Sequence, residues 1–190
     1  MTKRTVVERE DIVELWDYLQ AGRVTRFHTL PDPVHQTTAE HAGRVALIAW
    51  VLSGKTCRAQ VLVACLAHDL PEAITGDVPA PAKWASLPLA NALKELESRL
   101  ADPWPVMQVM EQLTPKEEDL LALADALDGV FTCVQGVRAG HHAMLQPYHA
   151  WMSYLRQRWP HVHYSVWDWF RCAITTPTIP WTPWSHLDNG

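Results

Sequence analysis

The chain lacks the cysteine pairs and long hydrophobic runs that mark disulfide-rich, zinc-ribbon and membrane proteins. Its four cysteines, Cys57, Cys65, Cys133 and Cys172, form no Cys-x-x-Cys pair and lie in apolar stretches, which predicts buried free thiols. The longest apolar run, residues 61–67, is far too short to cross a bilayer. The first residues show no hydrophobic signal region, so we expect a cytoplasmic protein with no membrane partner.

Positive charge is also scarce. The 16 Lys and Arg residues are scattered and are outnumbered by 21 Asp and Glu residues, for a net charge of −5. A protein that binds duplex nucleic acid needs a clustered excess of cations, so we expect no such partner. Apolar residues, in contrast, make up 48% of the 190 residues, and a chain of this length buries roughly 70% of its unfolded surface. We therefore predict one globular domain whose core needs no structural metal.

Helical spacing of apolar residues runs through almost the whole chain, so the predicted fold class is all-α, a single-domain helical bundle. Thr37 with Glu40, and Thr114 with Glu117, have the spacing of capping boxes at two helix starts. The helix that ends at Pro71 is apolar nearly all round and is predicted to be central. The predicted helices cover about residues 7–20, 37–54, 58–70, 89–100, 106–113, 114–136, 142–158 and 165–175.

The C-terminal segment has a different composition. Residues 177–190 are rich in proline and tryptophan, which predicts an extended tail beyond a domain of residues 1–176. Six of the ten tryptophans lie at or after Trp151, and tryptophan is favoured at interfaces. We therefore expect these tryptophans to serve packing and subunit contacts in a homo-oligomer.

An adjacent His68-Asp69 pair ends the most apolar predicted helix, where an ionised carboxylate needs a compensating partner. A divalent cation would be such a partner. His41, in the first turn of its helix, and Asp125, midway along another, are predicted to face inward and complete a ligand set. Two imidazoles and two carboxylates suit Co, Mn, Zn or Fe better than Ca or Mg. Taken singly, each residue also fits an ordinary role as a core histidine, a turn cap or an ion-pair partner.

These four residues lie in segments that resemble a known family. The series His41, His68-Asp69, Asp125 is similar to the metal signature of the HD-domain phosphohydrolases. The surrounding segments resemble the branch of bacterial 5′-deoxynucleotidases and phage enzymes that remove triphosphate from dATP. The matching segments are RFHT at 26–29, QTTAEH at 36–41, HDLPEAITGDVPAPAK at 68–83 and ADAL at 124–127. The resemblance covers about residues 23–130 and implies that residues 1–176 form an HD-domain helical bundle.

The resemblance also implies roles for five further residues. Glu72 would orient or deprotonate a metal-bound water as the catalytic residue, and Asp77 would accept a hydrogen bond from the sugar 3′-hydroxyl. Arg26 and Lys83 would bind phosphate. Phe27 stands where the family often has Trp and would pack on the sugar or base, which leaves the exclusion of a 2′-hydroxyl open. The ordinary alternatives are a first-turn glutamate, a turn-forming aspartate and solvated surface cations.

The function that the resemblance implies is metal-dependent hydrolysis of a dNTP such as dATP to deoxynucleoside and triphosphate, in the host cytoplasm if the protein is phage-encoded. The Arg-aromatic-His-Thr segment and the Leu-Pro-Glu after the His-Asp pair favour this branch. One alternative is a 5′-deoxynucleotidase that acts on dNMPs, and another is a non-catalytic HD-type module that binds nucleotides or scaffolds a complex. Arg44, three residues after His41, is a further possible phosphate contact.

Overall fold

The computed structural model describes residues 8–31, 34–102, 104–162 and 164–175. Within this part of the chain the fold is almost entirely helical, as predicted. The helices are α1 Arg9–Ala21, α2 Thr38–Leu52, α3 Ala59–Ala67, α4 Glu72–Thr75, α5 Ala80–Ala85, α6 Leu87–Ala101, α7 Pro115–Arg138, α8 Leu145–Arg158 and α9 Tyr164–Thr175, with 3-10 segments at Pro105–Gln112 and His142–Met144. The predicted tail, 177–190, and the domain boundary at 176 lie outside the described residues.

A pair of two-residue strands, which was not predicted, precedes α2. Strand β1, Thr25–Arg26, lies antiparallel to β2, Gln36–Thr37, with Arg26 opposite Gln36. This pairing returns the chain from the end of α1 to the start of α2. It thereby places Arg26 beside the first turn of that helix.

Both predicted capping boxes form and explain where α2 and α7 begin. The Thr37 hydroxyl accepts from the Glu40 backbone N–H, while the Glu40 carboxylate accepts from the Thr37 backbone N–H at 2.8 Å. The Thr114 and Glu117 pair repeats this arrangement, at 2.9 Å for the second bond. Because these caps set the first residue of each helix, they also set the direction in which the later histidine and aspartate side chains point.

Helix α3 is shorter and less central than predicted. It ends at Ala67, and the His68-Asp69 pair lies in the following turn, where the Leu70 N–H donates to the Ala67 carbonyl at 3.0 Å. This bond spans three residues instead of the four of an α-helix, and Pro71 has no N–H with which to continue the helix, so the regular helix ends early. Leu66 is 54% exposed, so only one face of α3 packs into the described core.

Helix α7 is the central element instead. It packs against α2, α3, α8 and α9, and buried residues fill its middle, from Ala124 to Gly136. By length and composition alone it is apolar enough to cross a membrane, and half of the relevant segment is buried inside the protein. This is the character of a core helix, and Asp125, which the sequence analysis assigns to the metal site, lies in it.

The apolar stripe of α1 is not buried in the described protein. Ile12, Leu15, Trp16 and Leu19 do share one face, as predicted, but each is at least half exposed. No described element covers that face. The expected homo-oligomer remains a prediction.

The cysteines are free thiols, as expected, but only two are buried. Burial raises the pKa of the Cys65 and Cys133 thiols to about 12, which makes them unreactive at neutral pH. Cys57 is half-buried and Cys172 is exposed on α9, so the prediction of burial is wrong for these two. Their apolar sequence neighbours did not reveal that Cys57 lies in the loop between α2 and α3, or that Cys172 lies on an exposed part of α9.

Gly129 allows α8 to approach α7 closely, because a Cβ atom at this position would lie 2.7 Å from Cε2 of Trp151. We expect Gly129→Ala to displace that ring and destabilise the protein by about 1–3 kcal/mol. The midpoint of thermal unfolding should fall by roughly 2–4 °C for each kcal/mol. In the matched variant Gly43→Ala, the added Cβ meets nothing within 4 Å, so better helix propensity should raise the midpoint slightly. Equal midpoints for the two variants would contradict this packing.

Candidate metal centre and substrate cavity

Four predicted metal ligands from three segments of the chain meet at one point. His41, on α2, is fully buried, and its Nε2 lies 3.3 Å from Nε2 of His68 and 3.4 Å from Oδ2 of Asp69. Asp125, on α7, places Oδ1 3.1 Å from the same Nε2 atom of His41. Ligand atoms of His41, His68 and Asp69 all lie within 4.8 Å of one another. We call these four residues the metal cluster.

Hydrogen bonds on the far side of both imidazoles direct the two Nε2 atoms toward the other ligands of the cluster. Nδ1 of His68 lies 2.8 Å from the Cys65 carbonyl oxygen, which only accepts, so this nitrogen carries the hydrogen. Nδ1 of His41 lies 2.7 Å from a carboxylate oxygen of Asp128. Two Nε2 atoms 3.3 Å apart, with two carboxylates beside them, fit a divalent transition metal that binds nitrogen at about 2.0–2.1 Å.

Opposite charges already stabilise the cluster without a cation. Burial alone would lower the pKa of His41, but hydrogen bonds to Asp125 and Asp128 outweigh it and raise that pKa to about 9. Burial opposes ionisation of Asp69 and Asp125, yet the imidazoles and the Arg26 guanidinium hold both carboxyl pKa values below their usual range. A cation that bound Nε2 of His41 would therefore displace a proton from this ring, as is general for imidazole ligands.

Arg26 borders the cluster from β1. Its Nη1 donates to Oδ2 of Asp69 at 2.9 Å, the residue is only 8% exposed, and its Nε–H has no hydrogen-bond partner among the described residues. Burial would lower the pKa of this guanidinium, but Asp69, Asp125, and further carboxylates raise it. A buried cation with a donor to spare suits an anionic ligand.

Glu72 begins α4 and is 4% exposed. Its Oε2 atom has no hydrogen-bond partner among the described residues. Burial, together with the negative charge of Asp69, raises the pKa of Glu72 to about 9. An unpartnered buried carboxyl group costs free energy, so its position beside the cluster is better explained by chemistry than by stability.

A cavity of about 350 Å³ opens beside the metal cluster. Seven of the nine residues that the sequence analysis assigned to the site line it: Arg26, Phe27, Asp69, Glu72, Asp77, Lys83 and Asp125. The other two, His41 and His68, contact Asp69 from behind the lining. The structure thus brings the whole predicted set to one place.

Two turns with positive φ present residues to this cavity. Phe27 has a φ of 58°, an uncommon value for a residue with a side chain, and follows Arg26 directly. Gly76 has a φ of 71°, a value that glycine tolerates, and turns the chain from α4 to Asp77. Phe27 and Asp77, which are 50 residues apart in the chain, therefore line the same cavity.

Aromatic rings form another part of the lining. Trp84 stacks on Tyr154 with ring centroids 5.3 Å apart and meets Trp151 edge-on at 5.0 Å. We call these three residues the aromatic wall. Arg158 lies beside them in the lining and donates to the Tyr154 hydroxyl at 2.8 Å. The cavity thus joins an ionic region to a flat apolar surface.

Sequence reasoning missed the buried network behind His41. Asp128 is fully buried, Arg44 places Nε 2.5 Å from Oδ1 of Asp128, and Gln36 donates to Oδ2 at 2.8 Å. Arg44 therefore pairs with Asp128 and does not line the cavity, so the expectation of a phosphate contact is wrong in this structure. A signal for Asp128 existed, because it lies three residues after Asp125 in an otherwise apolar helix segment.

The aromatic wall was not predicted either. Trp151 was expected to serve packing and subunit contacts, and it is buried as packing requires, but it also lines the cavity. Trp84 and Tyr154 carry no signal of their own in the sequence. Only the packing of α5 against α8 reveals that they share one surface.

Comparison with known proteins places the chain in a family. Residues 23–126, more than half of the chain, match the family model described as HD domain. The chain is 24% identical over 143 residues to the 5′-deoxynucleotidase YfbR of Shigella boydii, covering 64% of this chain and 71% of the relative. It is 34% identical over 98 residues to the dATP triphosphohydrolase of Salmonella phage PMBT28, covering 45% of this chain and 50% of the relative.

Two solved structures have similar folds. The HD phosphohydrolase DatZ of cyanophage S-2L, bound to dA and one catalytic Zn²⁺ ion, gives a TM-score of 0.63 at 24% identity, over 90% of this chain and 98% of that one. The PH0347 protein of Pyrococcus horikoshii gives 0.60 at 19% identity, over 86% and 98%. At these identities the likeness shows a shared fold. Since the family model spans more than half of its length, the chain belongs to the HD domain family, as an HD-domain phosphohydrolase related to 5′-deoxynucleotidases and phage dATP triphosphohydrolases.

Proposed function

We propose that this protein hydrolyses a dNTP such as dATP to deoxynucleoside and triphosphate in a metal-dependent reaction. One observation carries the proposal, namely that a single cavity joins the metal cluster and the buried Arg26 to the aromatic wall. Cations suit the phosphates, and flat rings suit the base. The names of two relatives, a dATP triphosphohydrolase and a phosphohydrolase bound to dA, support adenine as the base.

In this proposal the four residues of the metal cluster, His41, His68, Asp69 and Asp125, hold a Co, Mn, Zn or Fe ion. When bound, the ion supplies Lewis acidity at a phosphoryl oxygen and lowers the pKa of water. Arg26, whose guanidinium lies 2.9 Å from Asp69, neutralises the charge that grows on the phosphoryl oxygens. Lys83 lines the same cavity and binds the phosphates as a compact charge.

Glu72 is the proposed catalytic residue, which orients the attacking water and accepts its proton. Its carboxyl lies in the cavity lining, and one of its oxygens has no partner among the described residues. The Glu72 pKa of about 9 is that of the protein without a cation. A cation held by the neighbouring Asp69 would lower this pKa and so favour the ionised carboxylate that a base requires. Asp77 accepts from the sugar 3′-hydroxyl, and Phe27 packs on the sugar or base.

A 5′-deoxynucleotidase that acts on dNMPs is the second candidate. The observation in its favour is the extent of the match, because the relative of that name aligns over 143 residues whereas the dATP triphosphohydrolase aligns over 98. Both reactions break the bond between the phosphorus and the 5′ oxygen. The metal cluster and Glu72 therefore serve either reaction, and only the binding of the outer phosphates differs.

A hydrolysis panel tests the proposal. Purified protein is incubated with each dNTP, dNMP and rNTP, with Co, Mn or Zn added or with a chelator, and the products are separated by chromatography. We expect deoxynucleoside and intact triphosphate from dATP, only in the presence of metal. Deoxynucleoside and single phosphate from dNMPs alone would support the second candidate. An absence of turnover with every metal would contradict both and favour a non-catalytic nucleotide-binding module.

The aromatic wall predicts a binding defect that is separate from chemistry. Trp84→Ala removes a ring that is 40% exposed in the cavity lining, and loss of one base-stacking surface costs about 1–3 kcal/mol. KM for the deoxynucleotide should rise about 5- to 150-fold while metal affinity is unchanged. Trp50→Ala is the matched control, because Trp50 is 39% exposed on α2, outside the cavity lining. Steady-state kinetics with equal KM values for both variants would exclude the aromatic wall as the base site.

A further inference from the structure

We propose that Asp128 is a positioning residue that fixes the tautomer and ring orientation of His41 and thereby makes His41 competent to bind the metal. The inference rests on the proposed metal-dependent function. Asp128 is fully buried, and its Oδ2 atom lies 2.7 Å from Nδ1 of His41, on the side of the ring that faces away from the metal cluster. It does not line the substrate cavity.

The spacing of residues on two facing helices produces this arrangement. Asp125 and Asp128 lie three residues apart and hence on one face of α7. His41 packs between them, with Nε2 3.1 Å from Asp125 and Nδ1 2.7 Å from Asp128. Both ring nitrogens therefore contact the same helix, so the imidazole cannot rotate about χ2 without losing both contacts.

The groups around Asp128 determine which nitrogen of His41 carries the hydrogen. Nε of Arg44 lies 2.5 Å from Oδ1, and Nε2 of Gln36 donates to Oδ2 at 2.8 Å. Because the Oδ2 atom already accepts from Gln36 and belongs to a carboxylate that is paired with Arg44, it acts as an acceptor toward His41 too, and Nδ1 of His41 carries the hydrogen. In the neutral imidazole, which is the form that binds a metal, the lone pair of His41 then lies on Nε2, which faces the metal cluster. Such a carboxylate behind a ligating histidine raises the basicity of the ligand.

An asparagine at position 128 cannot reproduce this pattern in either orientation. With its oxygen toward Arg44, its NH₂ group faces Nδ1 of His41 and drives the hydrogen of His41 onto Nε2, where it blocks the metal. With its oxygen toward His41, its NH₂ group takes the place of Oδ1 in the 2.5 Å contact with Nε of Arg44, where it offers the guanidinium no lone pair. Asp128→Asn therefore keeps the shape of the side chain and removes its effect on His41.

The Arg44 and Asp128 pair also ties α2 to α7, so a purely structural role has to be distinguished. Loss of a structural tie lowers the free energy of unfolding but leaves the metal affinity of the folded protein unchanged. Loss of a positioning residue lowers the metal affinity itself. Metal affinity, measured under conditions in which the variant is folded, is therefore the deciding measurement.

The experiment compares Zn²⁺ affinity of the full chain by competition with a chromophoric chelator. We expect Asp128→Asn to bind Zn²⁺ about 10- to 100-fold more weakly than the wild type. Asp119→Asn is the matched control on the same helix, since Asp119 accepts from Nε1 of Trp159 at 2.9 Å and has no contact with the metal cluster. It should bind Zn²⁺ as the wild type does. Equal affinity for Asp128→Asn and the wild type would overturn the inference, whereas a wild type that binds no metal would overturn the proposed function instead.

A second measurement avoids the variant if Asp128→Asn does not fold. In the Zn²⁺-loaded wild type labelled with ¹⁵N-histidine, the NMR signals of His41 should show a protonated Nδ1 and an unprotonated Nε2. A His41→Gln spectrum assigns these signals. An unprotonated Nδ1 in the loaded protein would overturn the inference, because Asp128 would then have no hydrogen to accept.

Discussion

Asp69→Ala is expected to abolish metal binding and turnover together. Its two carboxylate oxygens lie 3.4 Å from Nε2 of His41 and 3.3 Å from Nε2 of His68, so this residue joins both imidazoles. A cation that stabilises the transition state supplies several kcal/mol, so the rate should fall by at least about 1,000-fold. Metal content after gel filtration and initial rates with dATP measure the two losses.

Two further variants make the Asp69 result interpretable. Asp69→Asn keeps an oxygen for Arg26, which now donates to Oδ2 at 2.9 Å, and so limits the destabilisation that an unpaired buried cation would cause. It should also lose most of the metal. Asp77 lines the same cavity but is not part of the metal cluster, so the Asp77→Asn variant should retain the metal. An Asp69→Ala protein that is active would contradict the assignment of the metal site.

Glu72→Gln is expected to separate metal binding from catalysis. The variant should retain the metal and lose about 100- to 10,000-fold in kcat, the range attributed to a positioned general base. The carboxyl is 4% exposed in the cavity lining, and glutamine fills the same space without being able to accept the proton from water. Rates measured at saturating metal and dATP give the loss directly.

Stability provides an independent check on the Glu72 variant. Burial and Asp69 raise the pKa of Glu72 from 4.5 to about 9, so between these pH values the metal-free protein takes up a proton at this carboxyl on folding. The cost of keeping the group buried is absent below pH 4.5 and grows as the pH rises through this window. Gln removes that cost, so the free energy of unfolding of the metal-free variant at pH 7 should not fall.

Glu97→Gln is the control for the Glu72 variant. Burial also raises the pKa of Glu97, but this side chain lies on α6, outside the cavity lining, so its replacement should leave kcat close to that of the wild type. Full activity of Glu72→Gln would contradict the proposed role of Glu72. Equal losses in both variants would point instead to the general electrostatics of this region.

Local signals in the sequence predicted the elements that carry the site. Two capping boxes located the first turns of α2 and α7, and two residues of the metal cluster, His41 and Asp125, follow at definite distances from them. The end of α3 was placed three residues late, because apolar periodicity continues through Leu70 while the hydrogen bonding does not. The family resemblance supplied the cavity residues, since spacing alone does not tell a turn-forming aspartate from one that binds a sugar.

The parts that could not be predicted depend on contacts between distant segments. Asp128 becomes meaningful only when α2 packs on α7 and presents His41 to it, 87 residues away in the chain. The aromatic wall requires α5 to place Trp84 against Tyr154 of α8. The exposed stripe of α1 is a further example. An amphipathic pattern predicts that a helix has an apolar face, but it does not predict which element packs against that face.

The central claim is that water attacks the phosphorus bonded to the 5′ oxygen, at a site that needs a bound metal. Hydrolysis of dATP in H₂¹⁸O, followed by mass spectrometry of both products, tests it most directly. The label should appear in the released triphosphate and not in the deoxynucleoside, and turnover should stop after chelation and resume when metal is restored. Label in the 5′-hydroxyl of the deoxynucleoside, or undiminished turnover after the metal has been removed, would contradict the account.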